Sequence, residues 1–454
     1  MGLIHGCSAP TDGSGDRPNL ILVTVDTLRA DHLGAYGYAR DTSPNLDALA
    51  REGALFERCY SESATTGAAH ASLFTSLPPP EHGVYANRQR FPNLPSLMRA
   101  LRAAGYYAAG FASSTVVGRS SGLQDHFDHF DDELTTGELN RSQRGERPAN
   151  DTIAAVRRLL DRRPAGRPFF IWIHLIDPHG PYAAPADPDR YVGDDLARAD
   201  ARELPLASQD WQPGRIPRYQ VLRDRRDAAY YVARYDAEIR YADAALGALF
   251  ADLHVRGLDP RTIVAVTADH GETLAEPGHH FYFSHGAIAY EETVRIPLII
   301  RPVGGDRRLW EVDRTQPVSS LDVAPTLLAL LGVEAPVGFR GRNLLRAPLS
   351  PDAPMISMGQ YGSVGLEQEI GTQFSVRKGP WRFVVNSKDG SEELYDHTTD
   401  PRETRNLAAA AAPAVVAELR DRLGPVVASR PAAGPAPAVS PEQFESLKAL
   451  GYLE

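Results

Sequence analysis

The sequence predicts an α/β fold, in which helices sandwich a mostly parallel sheet and a small antiparallel sheet-plus-helix subdomain follows at the C-terminus. Two observations lead to this prediction. Short apolar runs rich in β-branched residues alternate with segments of helical periodicity up to about residue 350. Beyond residue 350, short strand-like pieces precede a single helix, which indicates an antiparallel arrangement.

The predicted sheet consists of continuous apolar runs, which are typical of parallel strands buried on both faces. These strands span residues 19–25, 106–112, 169–176, 262–268 and 296–300. Helices with an apolar face are predicted between and after them, over residues 44–52, 95–103, 151–162, 228–254 and 321–331.

The C-terminal part has shorter elements, with strands predicted at 374–377, 381–386 and 393–395 and a helix at 413–423. We therefore expect a disordered segment over 1–17, a catalytic domain over 18–350 and a subdomain over 351–430. Residues 431–454 are expected to form a Pro- and Ala-rich linker and a tail. The polar, Pro-rich stretch 183–222 is weakly periodic, and we predict that it is a lid over a site.

The composition excludes several classes of function. The chain of 454 residues has a net charge of −10 and no long basic stretch, which argues against a nucleic-acid partner. No apolar run reaches the roughly 20 residues that span a bilayer. The only cysteines, Cys7 and Cys59, exclude a cysteine-based zinc cluster and argue against a disulfide framework.

The segment around Cys7 loosely resembles the end of a bacterial lipoprotein signal. The basic and apolar stretches that should precede such a cysteine are absent. Two interpretations stay open: a periplasmic or lipid-anchored protein, and a cytoplasmic one.

Three predicted strands are followed by an acid, namely Asp26, Asp177 and Asp269, and His270 comes directly after Asp269. Ligands bind beyond the carboxyl ends of parallel strands, so these side chains can converge although they are distant in sequence. One such aspartate is more often a turn or capping residue than a ligand. The set together with His270 favours a divalent-cation site.

A candidate nucleophile precedes a predicted helix that begins near Ala68. Thr66 would lie at or just before the helix N-terminus, where backbone N–H groups and the helix dipole favour an anion. A hydroxyl bound there to a metal becomes a competent nucleophile at neutral pH. The alternative is that Thr65 or Thr66 is only an N-cap.

An ordered series of segments is similar to the sulfatase-like branch of the alkaline phosphatase superfamily. The matching segments are residues 25–34, 66–75, 82–84, 177–182, 267–272, 285–286, 290–292, 295–298, 321–326, 394–396, 400–401 and 403–407. The series extends from residue 18 to about 425, which implies an alkaline-phosphatase-like fold and a metal-dependent ester hydrolase or transferase. It also implies a small or polymeric anionic ester as the substrate.

The resemblance implies a role for each matching position. The implied metal ligands are Asp26, Thr66, Asp269 and His270, and Thr66 is also the implied nucleophile. The implied catalytic histidines, which serve the oxyanion or the leaving group, are His179 and His285. The implied substrate-binding residues are Arg29, His70 and His82.

One divalent ion is expected, and zinc, manganese, magnesium and calcium are each compatible with such ligands. A second ion is the alternative. The residues available to hold it are Asp177, His174, His179 and His285, whose spacing does not match the second site of diesterases in the superfamily. We expect the His279–His280 pair to lie in a solvated loop and residues 400–403 to form a turn and cap.

The nucleophile segment departs from that of sulfatases, which use formylglycine made from Cys or Ser in a Cys/Ser-x-Pro-x-Arg motif. Residues 66–70 read Thr-Gly-Ala-Ala-His, so the modifiable residue, the Pro and the Arg are all missing. Threonine cannot give formylglycine because its Cβ carries a methyl group.

The segment instead resembles Thr-nucleophile members, such as nucleotide pyrophosphatase/phosphodiesterases and lipoteichoic acid synthase-like transferases. It therefore favours phosphate mono- or diesters as substrates. A sulfatase that works without formylglycine and an anion- or glycan-binding pseudoenzyme are the alternatives.

Overall fold

The computed structural model of the protein describes residues 17–87, 89–199, 202–208, 212–279, 281–346, 348–359 and 371–429. The predictions for residues 1–16 with Cys7, for His280 and for the linker and tail lie outside these residues. Within them, no helix combines the length and the apolar character needed to cross a membrane.

The strands follow one another along the whole of the described chain. They are β1 (Asn19–Val25), β2 (Ala54–Tyr60), β3 (Tyr107–Phe111), β4 (His129–Asp131), β5 (Thr136–Glu138), β6 (Arg141–Glu146), β7 (Phe169–Leu175), β8 (Thr262–Ala268), β9 (Arg295–Arg301), β10 (Val318–Ser319), β11 (Met355–Gly359), β12 (Gln373–Lys378), β13 (Trp381–Asn386) and β14 (Glu392–Asp396).

The α-helices lie between these strands and after them. They are α1 (Pro44–Glu52), α2 (Thr66–Thr75), α3 (Pro79–His82), α4 (Leu97–Ala103), α5 (Ala149–Arg162), α6 (Asp195–Ala199), α7 (Ala228–Val255), α8 (Glu291–Val294), α9 (Val323–Leu330) and α10 (Pro413–Ala428).

The main sheet has eight strands in the order β10-β2-β9-β8-β1-β7-β3-β4. Strand β9 runs antiparallel to β2 and β8, and the other pairs are parallel. A second sheet, β11-β12-β13-β14, is antiparallel and packs against α10. The mostly parallel α/β fold with a small C-terminal antiparallel sheet is therefore confirmed.

Helices form two layers on the main sheet. Helix α7 packs against α1 and α5, while α2, α4 and α9 pack against one another. Every residue of β7 and β8 is buried, which requires helices on both faces of these strands. Such strands are rich in apolar side chains because neither face meets water.

Several elements differ from the prediction. The sequence analysis missed β2, where Glu57 and Arg58 interrupt the apolar pattern next to the sheet edge, and the short strands β4 to β6. Helix α4 begins at Leu97 because the Ser96 hydroxyl oxygen caps it by accepting a hydrogen bond from the Arg99 N–H at 3.4 Å. These differences do not move the centre of the sheet.

The carboxyl ends of β8, β1 and β7 lie side by side at one edge of the sheet. In register, Thr24 of β1 pairs with Thr267 of β8 and with His174 of β7. The N–H of Asp26 donates to the carbonyl of Leu175 at 2.9 Å, so the pairing continues one residue past β1. The residues that follow these strands are thereby brought together.

Candidate active site

Asp26, Asp269 and His270 converge at this edge of the sheet. One ligand atom from each of the three buried side chains lies within 4.8 Å of the others. Thr27, which directly follows Asp26, has a φ of 57°, which is rare for a β-branched residue. Its backbone is held there because its N–H donates to Asp269 Oδ1 at 3.3 Å and its carbonyl accepts from Tyr235 Oη at 2.7 Å.

The free atoms of the three side chains fit a divalent cation. Asp269 Oδ1 accepts hydrogen bonds from the N–H groups of Thr27 and His270, whereas Asp269 Oδ2 and Asp26 Oδ1 are buried with no hydrogen-bond partner. His270 Nδ1 donates to the carbonyl of Gly271 at 2.9 Å, which leaves the lone pair on Nε2. Buried carboxylate oxygens are costly unless a cation or a donor pairs with them.

Burial also raises the pKa of Asp26 to about 7, against the opposing effect of His270. The carboxylate form therefore needs a positive charge beside it at neutral pH, which a divalent cation would supply.

Thr66 is the first residue of α2, and Thr65 is the N-cap, without a capping bond from its side chain. Of the two residues that the alternative interpretation named, Thr65 is therefore the N-cap and Thr66 is not. Its Oγ1 lies 3.2 Å from His270 Nε2, and the side chain is buried. The structure thus brings all four expected ligands, Asp26, Thr66, Asp269 and His270, to one place.

His285 and His179 adjoin this cluster. The His285 ring lies 4.6 Å from the ring of His270 and 5.0 Å from that of His179, centre to centre. His285 Nδ1 is 3.3 Å from Glu272 Oε1, and His179 Nδ1 donates to the carbonyl of Gly180 at 2.8 Å. The structure therefore places both expected catalytic histidines beside the cluster.

Burial determines the protonation states around His285. It lowers the pKa of His285 to about 4 and raises the pKa of Glu272 to about 8. Burial, and then the neighbouring His285, lower the pKa of His179 well below its usual range. At neutral pH the neutral imidazoles of His179 and His285 therefore lie beside the carboxyl group of Glu272, which retains its proton.

The three expected substrate-binding residues have protein partners instead. Arg29 pairs with Asp31 and Glu276, and its Nη1 donates to the carbonyl of Glu272 at 3.0 Å. The ring nitrogens of His70 and His82 likewise have partners within the protein. That these side chains bind the substrate anion stays a prediction.

His70 and His82 are buried between elements of the fold. His70 Nδ1 donates to the Thr66 carbonyl at 2.8 Å, and its Nε2 lies 2.9 Å from Thr24 Oγ1. His82 Nε2 lies 2.9 Å from Ser72 Oγ, and its Nδ1 accepts from the N–H of Val84 at 3.0 Å. His82 thus connects α3 to α2 and does not reach the cluster.

The structure places two further residues beside the site: Asn87, which the sequence analysis did not assign, and His174, which it named only as available to a second ion. Asn87 Oδ1 accepts a hydrogen bond from the N–H of Gly67 at 2.9 Å and so caps α2. His174 is fully buried, its Nε2 is 3.4 Å from Asp26 Oδ2, and neither ring nitrogen has a hydrogen-bond partner. In the sequence, His174 stands out as a polar residue inside the apolar run of β7, whereas no sequence pattern marks Asn87.

Two arginines of the β5–β6 hairpin also lie near the site. The positive charges of Arg141 and Arg144 add to burial in lowering the pKa of both His179 and His285. The Arg141 guanidinium lies over the ring of Tyr219 at 3.8 Å. The hairpin therefore brings positive charge to the side of the site that these histidines occupy.

The predicted lid, as far as it is described, lies beside His285. Tyr219 Oη and Gln220 Nε2 donate to the carbonyl of Phe283 at 3.3 and 3.0 Å. A small cavity next to His285 is lined from the lid side by Gln212, Arg215 and Pro217. The segment contains the short helix α6 and is packed against the loop that carries His285.

A second group of potential ligands, Glu291, His397 and Glu403, lies where the second sheet meets the main domain. The buried guanidinium of Arg382 already pairs there with Glu291 and Glu403. An arginine that neutralises the carboxylates leaves no room for a cation, so we assign this group to packing. The described residues contain no other group of three such side chains within ligand distance of one another.

The prediction of a solvated loop at His279 is wrong. His279 is 3% exposed, and its Nδ1 pairs with Glu292. Its Nε2 lies 3.1 Å from the carbonyl oxygen of Glu403. Glu403 is therefore more than part of a turn, because it holds Arg382 and His397 through its side chain.

A family model described as Sulfatase matches residues 18–333. The chain belongs to the sulfatase family. A second model, N-sulphoglucosamine sulphohydrolase, C-terminal, matches residues 278–428 of this sulfatase-family protein. The resemblance stated from the sequence is confirmed, and the protein is a sulfatase-family ester hydrolase.

Relatives of this sulfatase-family protein match most of its length. It is 28% identical to the uncharacterized sulfatase YidJ of Escherichia coli K12, over 86% of this chain and 83% of that protein. It is 27% identical to a choline-sulfatase of Rhizobium meliloti, over 86% and 82%. The solved structure of a phosphonate monoester hydrolase of Agrobacterium radiobacter shares the fold with a TM-score of 0.69 at 20% identity, over 91% of this chain and 96% of that one.

Proposed function

We propose that the protein is a metal-dependent phosphoester hydrolase or transferase in which Thr66 is the nucleophile. One observation carries the proposal. Thr66 Oγ1 is 3.2 Å from His270 Nε2, beside a cluster in which Asp26 Oδ1 and Asp269 Oδ2 are buried without partners. A hydroxyl that shares a cation with such ligands is activated for attack.

The four side chains Asp26, Thr66, Asp269 and His270 would hold one divalent cation. When bound, the cation lowers the pKa of the coordinated hydroxyl and offsets negative charge on an ester oxygen. Two carboxylates, an imidazole and a hydroxyl suit zinc, manganese, magnesium and calcium alike. Elemental analysis of the purified protein therefore has to decide the metal.

Thr66 reacts as its alkoxide, having released its hydroxyl proton to solvent: Oγ forms a bond to phosphorus, and the bond between phosphorus and the leaving oxygen breaks. The leaving oxygen takes a proton from His285 Nε2, while Glu272 passes its own proton to His285 Nδ1. The raised pKa of Glu272, about 8 through burial, keeps that proton available at neutral pH. The imidazole thus remains neutral through the transfer.

The second step releases the phosphoryl group from Thr66. Water or an acceptor alcohol attacks phosphorus, its proton goes to His285 Nε2, and the Nδ1 proton returns to Glu272. His179 holds its Nδ1 proton on Gly180 and presents an Nε2 lone pair to the attacking hydroxyl. Transfer to water makes the protein a hydrolase, and transfer to an alcohol makes it a transferase.

Threonine cannot give the formylglycine that sulfatases use, which favours phosphorus over sulfur as the reacting atom. Its Cβ carries a single oxygen, so an ester formed there leaves only through a second attack at phosphorus or sulfur. Arg141, Arg144 and the cavity residue Arg215 place positive charge near His285, which suits an anionic ester. Sulfate-ester hydrolysis without formylglycine is the second candidate, and the sulfatase family model and the choline-sulfatase relative favour it.

A panel of 4-nitrophenyl esters tests the proposal: phosphate, bis-phosphate, phenylphosphonate and sulfate, each assayed with and without a divalent cation. The variants are Thr66→Ala, Thr66→Ser and the control Thr75→Val, whose hydroxyl donates to the Ala71 carbonyl at the far end of α2. We expect cation-dependent turnover of a phosphorus ester that falls at least ~1,000-fold in Thr66→Ala. Thr66→Ser should keep part of it, and Thr75→Val all of it.

The other outcomes each overturn a part of the proposal. Turnover of the sulfate ester alone, dependent on Thr66, supports the second candidate. Turnover that survives Thr66→Ala rejects the nucleophile. No cation-dependent turnover of any ester supports a binding protein in place of an enzyme.

A further inference from the structure

A chain of buried hydrogen bonds connects the strands of the sheet to Thr66. Trp172 Nε1 of β7 donates to Thr24 Oγ1 of β1 at 3.0 Å, and Thr24 Oγ1 lies 2.9 Å from His70 Nε2. His70 Nδ1 lies 2.8 Å from the carbonyl oxygen of Thr66. All four residues are at most 3% exposed.

The chemistry of the end groups fixes the direction of every bond in this chain. An indole N–H can only donate and a carbonyl oxygen can only accept. Thr24 Oγ1 therefore accepts from Trp172 and gives its single hydrogen to His70 Nε2. His70 in turn carries its own hydrogen on Nδ1 and donates it to Thr66.

We propose that His70 is a positioning residue, which holds the backbone of Thr66 so that its Oγ1 stays directed at Asp26, Asp269 and His270. The proposal rests on the proposed role of Thr66 as the nucleophile. It replaces the expectation that His70 binds the substrate.

The position of Thr66 explains why it needs such support. Thr66 is the first residue of α2, and the chain enters it from an extended Thr65 with φ −126° and ψ 125°. First turns of helices have few internal hydrogen bonds and are the least constrained part of a helix. The His70 contact ties this turn to β1, the strand that Asp26 directly follows. The nucleophile Thr66 and the metal ligand Asp26 thus share one rigid support.

The surroundings of His70 exclude direct contact with a substrate. The ring packs against the rings of Phe74, Trp172 and His174, at centre-to-centre distances of 6.0, 5.5 and 5.3 Å. Both of its nitrogens are already engaged within the protein. His70 Nδ1 also lies 3.9 Å from Asp269 Oδ2, so His70 acts on the reaction through Thr66 and this neighbouring ligand, not through the substrate.

The chain of hydrogen bonds can be interrupted at Thr24, a residue that touches neither Thr66 nor the substrate. Thr24→Val removes the middle hydroxyl and keeps the shape of the side chain, Thr24→Ser restores the hydroxyl, and Thr75→Val is the matched control on α2. A nucleophile displaced by a fraction of an ångström slows the chemical step without weakening substrate binding.

We expect kcat for the best 4-nitrophenyl ester to fall about 10- to 100-fold in Thr24→Val. KM and the bound metal per chain should change less than about twofold, because neither substrate nor metal contacts this residue. Thr24→Ser should recover most of kcat, and Thr75→Val should match the wild type. A raised KM with unchanged kcat in His70→Gln would show substrate binding and overturn the proposal.

A spectroscopic measurement tests the chain of hydrogen bonds independently of enzyme activity. Nitrogen-15 NMR of histidine-labelled protein, with the His70 signal assigned by His70→Gln, should show a neutral ring with its hydrogen on Nδ1. A hydrogen on Nε2 would overturn the proposal, whatever the activity of the variants. Full turnover in Thr66→Ala rejects the proposed function and, with it, the catalytic role of the positioning. An inactive Thr66→Ala together with a fully active Thr24→Val rejects the positioning role and leaves the proposed function standing.

Discussion

The His279–Glu292 pair should make the stability of the protein depend on pH. Both nitrogens of His279 face acceptors, the Glu292 carboxylate and the Glu403 carbonyl, so the ring is held as an imidazolium. Burial alone would lower the pKa of His279, but the charge of Glu292 and its hydrogen bond outweigh burial and raise that pKa to about 9. The ring also stacks on Tyr290 at 3.8 Å.

The direction and size of the effect follow from this shift. A histidine with a raised pKa in the folded chain contributes its full stability below its unfolded pKa, about 6.5, and loses it as the pH rises through about 9. The difference between these values corresponds to about 3 kcal/mol of unfolding free energy. For a chain of this length, that amounts to roughly 3 °C in Tm.

The assay is urea or thermal unfolding of the wild type and of His279→Gln between pH 6 and pH 10. Glu62 and Glu272, whose pKa values burial raises to about 8, titrate in the same window, so the informative quantity is the difference between the two proteins. The wild type should be more stable at pH 6, and this advantage should shrink with rising pH, by up to about 3 kcal/mol at pH 10.

A second buried histidine provides the control. Burial lowers the pKa of His126 to about 4, so His126 is neutral throughout the window and His126→Gln should parallel the wild type. Stability curves of the wild type and His279→Gln that also run parallel from pH 6 to pH 10 would refute the reasoning.

Three further predictions concern the buried charges. Arg382→Met should lower the free energy of unfolding by about 3–5 kcal/mol in thermal or urea unfolding, because the half-buried Glu291 and the buried Glu403 lose the guanidinium that pairs with both and keep only His397 beside them, whereas Arg420→Met, at an exposed pair, should leave Tm unchanged. Asp269→Asn can keep the bonds from Thr27 and His270 through its oxygen while turning N–H groups toward the cation, so elemental analysis should find at least ~10-fold less metal in a protein with wild-type circular dichroism. Chelation of the wild type should lower Tm, and re-addition of the divalent cation should restore it; a Tm indifferent to chelation would contradict the proposed metal site.

The sequence was sufficient to predict the centre of the fold. Strands β1, β7 and β8 are buried on both faces, so they appear in the sequence as unbroken apolar runs, each followed by an acid within two residues. The convergence of Asp26 and Asp269 follows from the geometry of parallel strands. The resemblance to a known family then supplied Thr66, which the local pattern alone did not distinguish from an N-cap.

The remaining features depend on partners that are distant in sequence. His70 was expected to face a substrate because its contact with Thr24, across 46 residues, leaves no trace in the local pattern. His279 was expected in solvent because one of its partners, Glu403, lies 124 residues away. Strand β2 was missed because charged residues interrupt a strand that lies close to the sheet edge.

The central claim is that Thr66 forms a covalent bond to phosphorus. Rapid acid quenching of the metal-loaded protein mixed with 4-nitrophenyl phosphate, followed by peptide mass spectrometry, measures this bond directly. We predict a phosphoryl group on Thr66 in the wild type, formed only when the cation is present and absent in Thr66→Ala. Cation-dependent turnover with an unmodified Thr66, or with the phosphoryl group on another side chain, would contradict the claim.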